Sequence, residues 1–267
     1  MIDLPVAMST TASGALVGLV LGLVGGGGSI LAVPLLVYVV GIASPHVAIG
    51  TSAIAVSLSA LGNVVGHARA GHVKWRCAAV FALAGAVGAV AGSVVAKSID
   101  GQKLLLFFGV LMIVVGFAML RKRSGVGNPD VQLSTTTARE LLPLLIGIGF
   151  AVGLLSGFFG IGGGFLIVPG LMLATGMPLT IAIGTSLVAV AAFGAATAAS
   201  YAVSGLIDWP IAGIFVFGGL IGGIAGVALG KILAARKQSL NVVFAGLVIA
   251  VGIYVVSQGF LSIMSGA

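Results

Sequence analysis

The chain has 267 residues, of which 12 are Lys or Arg and 5 are Asp or Glu, while 60% are hydrophobic and the mean hydropathy is +1.30. Charged residues make up 6%, against about 25% in a soluble domain, so too little polar surface exists to solvate a globule, and a soluble enzyme or binding domain is excluded. The net charge of +7 does not point to nucleic acid, because the basic residues sit in short clusters between apolar runs and not on one soluble face.

From the N-terminus, apolar runs cover roughly 5–42, 46–66, 77–96, 104–120, 141–175, 178–203, 210–230 and 240–263. Long apolar runs with scattered Gly read as helices and not as barrel strands. The first 24 residues lack the Lys or Arg of a cleaved signal peptide. Most runs match one bilayer crossing of about 20 residues. Two do not: Pro5 to Ile42 and Leu141 to Thr175 would each be over 50 Å long, roughly, as one helix. Glycines interrupt both, as Gly25-Gly26-Gly27-Gly28 and as Gly160-Ile161-Gly162-Gly163-Gly164. Consecutive glycines weaken a helix and permit positive φ. Each long run therefore reads as a helical hairpin or broken helix.

The two interrupted runs belong to an internal duplication. Gly22, Gly25, Gly27, Gly28, Val33, Pro34 and Gly41 match Gly157, Gly160, Gly162, Gly163, Val168, Pro169 and Gly176 at an offset of 135. The offset then becomes 134, and Ala48-Ile49-Gly50-Thr51-Ser52 recurs as Ala182-Ile183-Gly184-Thr185-Ser186. Gly71, Trp75 and Lys97 recur as Gly205, Trp209 and Lys231. The repeats are 1–123 and 140–267, joined by a cytoplasmic linker, 124–139.

Basic residues concentrate in cytoplasmic loops. If each long run crosses once, the basic residues divide seven against five; if each returns to its starting side, they divide ten against two. The second arrangement fits the rule. It gives each half a Gly-broken hairpin plus three transmembrane helices, related by an inverted-topology repeat, with both termini outside the cytoplasm. The predicted fold class is an all-α polytopic membrane protein of the inverted-repeat kind common among secondary transporters.

A helix start offers free backbone N–H groups and a positive dipole end to an anion. Here those starts are expected at Ser29, a candidate N-cap, and at Gly164, converging on one central site. The candidate substrate-binding residues are Gly26, Gly27, Gly28, Ser29, Gly162, Gly163 and Gly164 at the breaks, with the hydroxyls of Thr51, Ser52, Thr185 and Ser186 and, more remotely, Asn63. Serine and threonine also bond back to their own helix, and glycine also serves helix packing. Packing is the expected role of Gly14, Gly18 and Gly22 and of Gly218, Gly222, Gly226 and Gly230, which recur at i+4. No Asp or Glu lies within an apolar run and a single cysteine, Cys77, is present. Carboxylate relays, metal sites and cofactors are therefore not expected. Nor is ATP hydrolysis, since Gly226 to Ile232 lacks P-loop spacing.

The two Gly-rich-then-Pro frames, Gly25 to Leu35 and Gly160 to Pro169, followed by Thr51-Ser52 and Thr185-Ser186, resemble the TauE/SafE family of sulfite exporter, or TSUP-like, membrane transporters. The second frame matches better; the first has Gly26 in place of a spacer and Ser29 in place of the last glycine. The resemblance implies a non-enzymatic transporter of small sulfur-containing anions (sulfite, thiosulfate or organosulfonates) in the cytoplasmic membrane. The leading expectation is export by alternating access. A passive channel or an importer of the same solutes is the alternative, and an integral membrane enzyme stands further back. The partners expected are a small anion and the bilayer, with the oligomeric state left open.

Overall fold

A computed structural model describes residues 3–120, 131, 133–134, 137–160, 164–232 and 237–265. All of its regular structure among these residues is helical: α1 Leu4–Val24, α2 Ala32–Pro34, α3 Pro45–Arg69, α4 Trp75–Lys97, α5 Gly101–Leu120, α6 Ala138–Phe159, α7 Gly164–Thr175, α8 Leu179–Val203, α9 Trp209–Ile232 and α10 Lys237–Ser265. A 3₁₀ segment, Gly25–Leu31, leads into α2, and a wide π turn, Leu35–Val39, follows it. Seven helices (α1, α3, α4, α5, α6, α8 and α9) are long and apolar enough to cross a membrane, and α10 carries a shorter apolar stretch, Ala245–Leu261.

Both glycine-broken runs fold back on themselves. A Cβ at Gly28 would collide with the backbone of Val20 and Leu21, so the chain returns along α1. Gly170 packs in the same way on Val152 and Ile148 of α6. The reversals occur at Gly25, φ +74°, and Gly160, φ +67°, conformations that only glycine adopts at little cost. Pro34 and Pro169 stand in the returning limbs. Proline removes an N–H and crowds the carbonyl four residues earlier. The helix type around Pro34 changes accordingly, and the N–H of Val40 reaches back to the carbonyl of Leu35.

Packing links the two sequence halves more than it links each half to itself. α1 lies parallel to α9, with Gly14, Gly18 and Gly22 against the carbonyls of Phe215, Gly219 and Gly223. α6 lies parallel to α4, with Gly149, Gly153 and Gly157 against Phe81, Gly85 and Ala89. From the other side, Gly218, Gly222 and Gly226 meet the carbonyls of Thr11, Ala15 and Leu19. The i+4 glycines thus form backbone-to-backbone rails, the packing role expected of them. α3 and α8 cross antiparallel at the centre, where Ser57 Oγ donates to the Ala191 carbonyl at 2.7 Å. Ser57 and Ala191 are equivalent positions of the two repeats. α5 and α10 pair antiparallel through Gly109 and Gly252. Exchanging the halves maps each of these pairings onto another or onto itself.

The rails predict a contrast. Gly153→Val places side-chain atoms inside the backbone of α4, and is expected to cost at least about 1–3 kcal/mol and to remove most monodisperse protein after mild heating in detergent. Gly147→Ala and Gly213→Ala, where nothing lies within 4 Å of the new Cβ, should leave the melting curve unchanged or raise it slightly. Fluorescence-detected size exclusion of the three variants compares them directly.

Candidate functional site

Each hairpin tip is seated on the other half. Gly25 packs against Ile183 of α8, and Gly160 packs against Ile49 of α3. These are the isoleucines of the repeated pentapeptide, so each tip lies beside the threonine-serine pair of the opposite repeat. Ser52 Oγ lies 2.9 Å from the Ile49 carbonyl and 3.2 Å from the Gly160 carbonyl, sharing its proton between its own helix and the second tip. Ser186 Oγ donates to the Ile183 carbonyl at 2.7 Å.

The threonines reach loops of the opposite half. Thr51 Oγ1 accepts the N–H of Asp208 at 2.9 Å, and Thr185 Oγ1 accepts the N–H of Lys74 at 3.1 Å. Asp208 and Lys74 immediately precede α9 and α4, so each hydroxyl satisfies a backbone donor just ahead of a helix start. Gly50 and Gly184 complete these joints, facing the carbonyls of Leu206 and His72. Thr51, Ser52, Thr185 and Ser186 are all fully buried. The two threonines retain their own O–H protons as donors.

Each glycine turn is therefore seated near one Thr-Ser pair of the opposite repeat. Ile49 and Ile183 each precede the central crossing of α3 and α8 by eight residues, about 12 Å of helix. The helices run antiparallel, so the tips lie on opposite sides of the crossing. One station pairs the Gly160 turn, four residues before the start of α7 at Gly164, with Ser52 and Ile49, beside Thr51. The other seats Gly25, which opens the Gly26, Gly27, Gly28 and Ser29 run, on Ile183, two residues before Thr185 and three before Ser186. The two tips sit on either side of the crossing, while the segments that follow them, Gly25–Leu31 and α7, pack against each other.

The start of α7 at Gly164 matches expectation. Ser29 does not cap a helix: it lies inside the 3₁₀ segment, and its carbonyl accepts the N–H of Ala32. Four successive glycines allow the tight winding to begin at Gly25, four residues early. Gly162 and Gly163 lie outside the described residues. Asn63 is buried. It lies twelve residues beyond Thr51, about 18 Å along α3, with its carboxamide against Gly223 of α9. Its Nδ2, together with Ser59 Oγ, Ser156 Oγ, Thr197 Oγ1 and the Tyr201 hydroxyl, is buried without a hydrogen-bond partner. Ser59 and Ser156 escaped the sequence reading because their repeat equivalents, Phe193 and Leu21, are apolar.

Among the described residues the buried polar side chains are those of Ser, Thr and Asn, with the Tyr201 hydroxyl, and no charge is buried; no group of His, Cys, Asp or Glu among them is placed to hold a metal. The interior thus offers neutral donors only. Thr51→Val and Thr185→Val keep the side-chain shape but strand the Asp208 or Lys74 amide. Each is expected to lower stability by about 1–2 kcal/mol, read as a fall in melting temperature in detergent, with Thr→Ser partly restoring it.

Comparison with known proteins adds a family. The family model described as Sulfite exporter TauE/SafE matches residues 10–255. A probable membrane transporter protein of Xylella fastidiosa is 51% identical over 256 residues, covering 96% of this chain and 97% of its own. The probable membrane transporter protein YunE of Bacillus subtilis is 26% identical over 266 residues, covering 93% and 97%. A probable membrane transporter protein of Haemophilus influenzae is 28% identical over 200 residues, 72% of each chain. No solved structure matches the chain.

Proposed function

We propose, for a chain that belongs to the Sulfite exporter TauE/SafE family and is a multi-pass membrane transporter, that it is a secondary transporter exporting small sulfur-containing anions across the cytoplasmic membrane. The substrates are sulfite, thiosulfate or an organosulfonate, and the mechanism is alternating access. The observation that carries this reading is the pair of equivalent stations, one on either side of the α3–α8 crossing. Each combines a glycine turn from one repeat with a Thr-Ser pair from the other.

Gly164 and the following amides of α7, with the Thr51 and Ser52 hydroxyls, supply donors to an oxyanion at one station. Gly26, Gly27, Gly28 and Ser29 with Thr185 and Ser186 do so at the other. Gly162 and Gly163 are further substrate-binding residues of this reading. Asn63 serves the path between the second of these stations and the aqueous side. Neutral donors suit a carrier: they hold an anion without the deep well that a buried lysine would make.

The antiparallel crossing of α3 and α8 at equivalent residues, and the antiparallel pairing of α5 with α10, support an inverted-topology relation between the halves. In that arrangement the loop before α4, the linker beside Arg76 and the α9–α10 connection face the cytoplasm. Both termini and the loop before α9 face outward. Moving one negative charge out of a cell gains about 2.3 kcal/mol per 100 mV, a driving force large enough that export need not require a coupling ion.

Purified protein in proteoliposomes tests this through uptake and counterflow of radiolabelled sulfite and thiosulfate under an imposed potential. Saturable, potential-sensitive flux is expected, falling at least about tenfold in the Ser52→Ala, Ser186→Ala double variant as two donors to charge are lost. Non-saturating flux without counterflow would make the protein a channel. No flux of any sulfur anion would withdraw the substrate class, and full flux in the double variant would return the hydroxyls to packing.

A further inference from the structure

We infer that Lys97, Tyr201 and Thr197 form an anion entry-and-exit station at the outer mouth of the protein, contiguous with the Gly160 station. This inference rests on the anion-transport reading above and adds a site to it. Phe193, Thr197 and Tyr201 recur at i+4 on the face of α8 turned to α4. The Phe193 ring fills the space beside Gly85 and stacks on Phe81 with centroids 6.0 Å apart. Two turns further on, Lys97 Nζ sits 5.7 Å from the centre of the Tyr201 ring. Tyr201 also backs directly onto Gly50, between Ile49, which seats the Gly160 tip, and Thr51.

Three features give this seam its chemistry. First, the Tyr201 hydroxyl and Thr197 Oγ1 are fully buried and have no partner, an arrangement that native structures rarely keep without a use. Second, the partly buried Lys97 ammonium donates only to neutral groups, Ser200 O at 3.0 Å, Ser200 Oγ at 3.1 Å and Ser204 Oγ at 3.0 Å. Its charge is uncompensated by those partners. Third, the seam is unequal to its repeat equivalent, where Ser59, Asn63 and His67 replace Phe193, Thr197 and Tyr201. A cation above two orphan hydroxyl donors recognises a small oxyanion. The aromatic stack of Phe193 on Phe81 closes the seam behind it, so that an anion at Lys97 passes by way of the Gly160 tip and not along α8.

The test compares wild type, Lys97→Met, Lys97→Arg and Tyr201→Phe in proteoliposomes, with melting temperatures measured in parallel. Lys97→Met is expected to raise the half-saturating sulfite concentration about tenfold, the loss of one charged hydrogen bond, and Lys97→Arg to recover most of it. Tyr201→Phe keeps the ring and removes the orphan hydroxyl, so its melting temperature should hold or rise while its maximal flux falls several-fold. A packing role for these residues predicts the same melting temperature for Tyr201→Phe but full flux, and that result would overturn the station. So would a half-saturation unchanged in Lys97→Met. Wild-type protein that moves no sulfur anion would instead refute the transport reading itself, and the station would fall with it.

Discussion

A helix that breaks inside a bilayer exposes amides and carbonyls that lipid cannot satisfy, so a break must be covered by other protein. Both breaks in this chain are covered by the opposite repeat: Ile183 lies over Gly25, and Ile49 with Ser52 lies over Gly160. That requirement accounts for much of the architecture. α3 and α8 have to pass each other at the centre so that each presents its early turns to a foreign hairpin. α1 and α6, the outgoing limbs of the hairpins, have to be held close enough for their tips to reach, and the glycine rails on α9 and α4 hold them at backbone contact. The hydroxyls of Thr51 and Thr185 then fix the loops ahead of α9 and α4 relative to the same core helices.

The interior chemistry follows from the same solvent. A charge placed there without a partner is expensive, and among the described residues none is buried. Hydroxyls and backbone amides are the donors that remain. They are weak individually and numerous at the two tips, which suits a ligand that must be released as readily as it is bound. Lys97 stays partly exposed near one end of α4, where water shares the cost of its charge.

Much of this was legible in the residues. The duplication survived as identities in register, because a positive-φ turn admits little but glycine and a close rail admits little but small residues. Gly25 and Gly160, and the i+4 rails, were found for that reason. The hairpins were legible from run length and from the distribution of Lys and Arg. The separation of the two tips was not, since it depends on where α3 and α8 cross, and Ser57 carries no mark of meeting Ala191 across 134 residues. The partner of Thr51 lies 157 residues away, so its hydroxyl read as a ligand donor when it also supports a loop. The 3₁₀ winding over Gly25–Leu31 that displaced the expected start at Ser29 left no mark in the residues beyond the run of four glycines.

The interleaving of α1 with α9 bears on how the protein is made. α1 leaves the ribosome roughly 200 residues ahead of the helix that clasps it, about 10–40 s at ordinary rates of synthesis. Through that interval its glycine face, Gly14, Gly18 and Gly22, has no native partner, and lipid or an insertion factor must occupy it. α6 is in the opposite position: α4, its parallel rail, is already in place when it emerges. The two repeats therefore share one architecture but mature in opposite order. The second hairpin assembles on a waiting surface, and the first closes only after α9 has emerged.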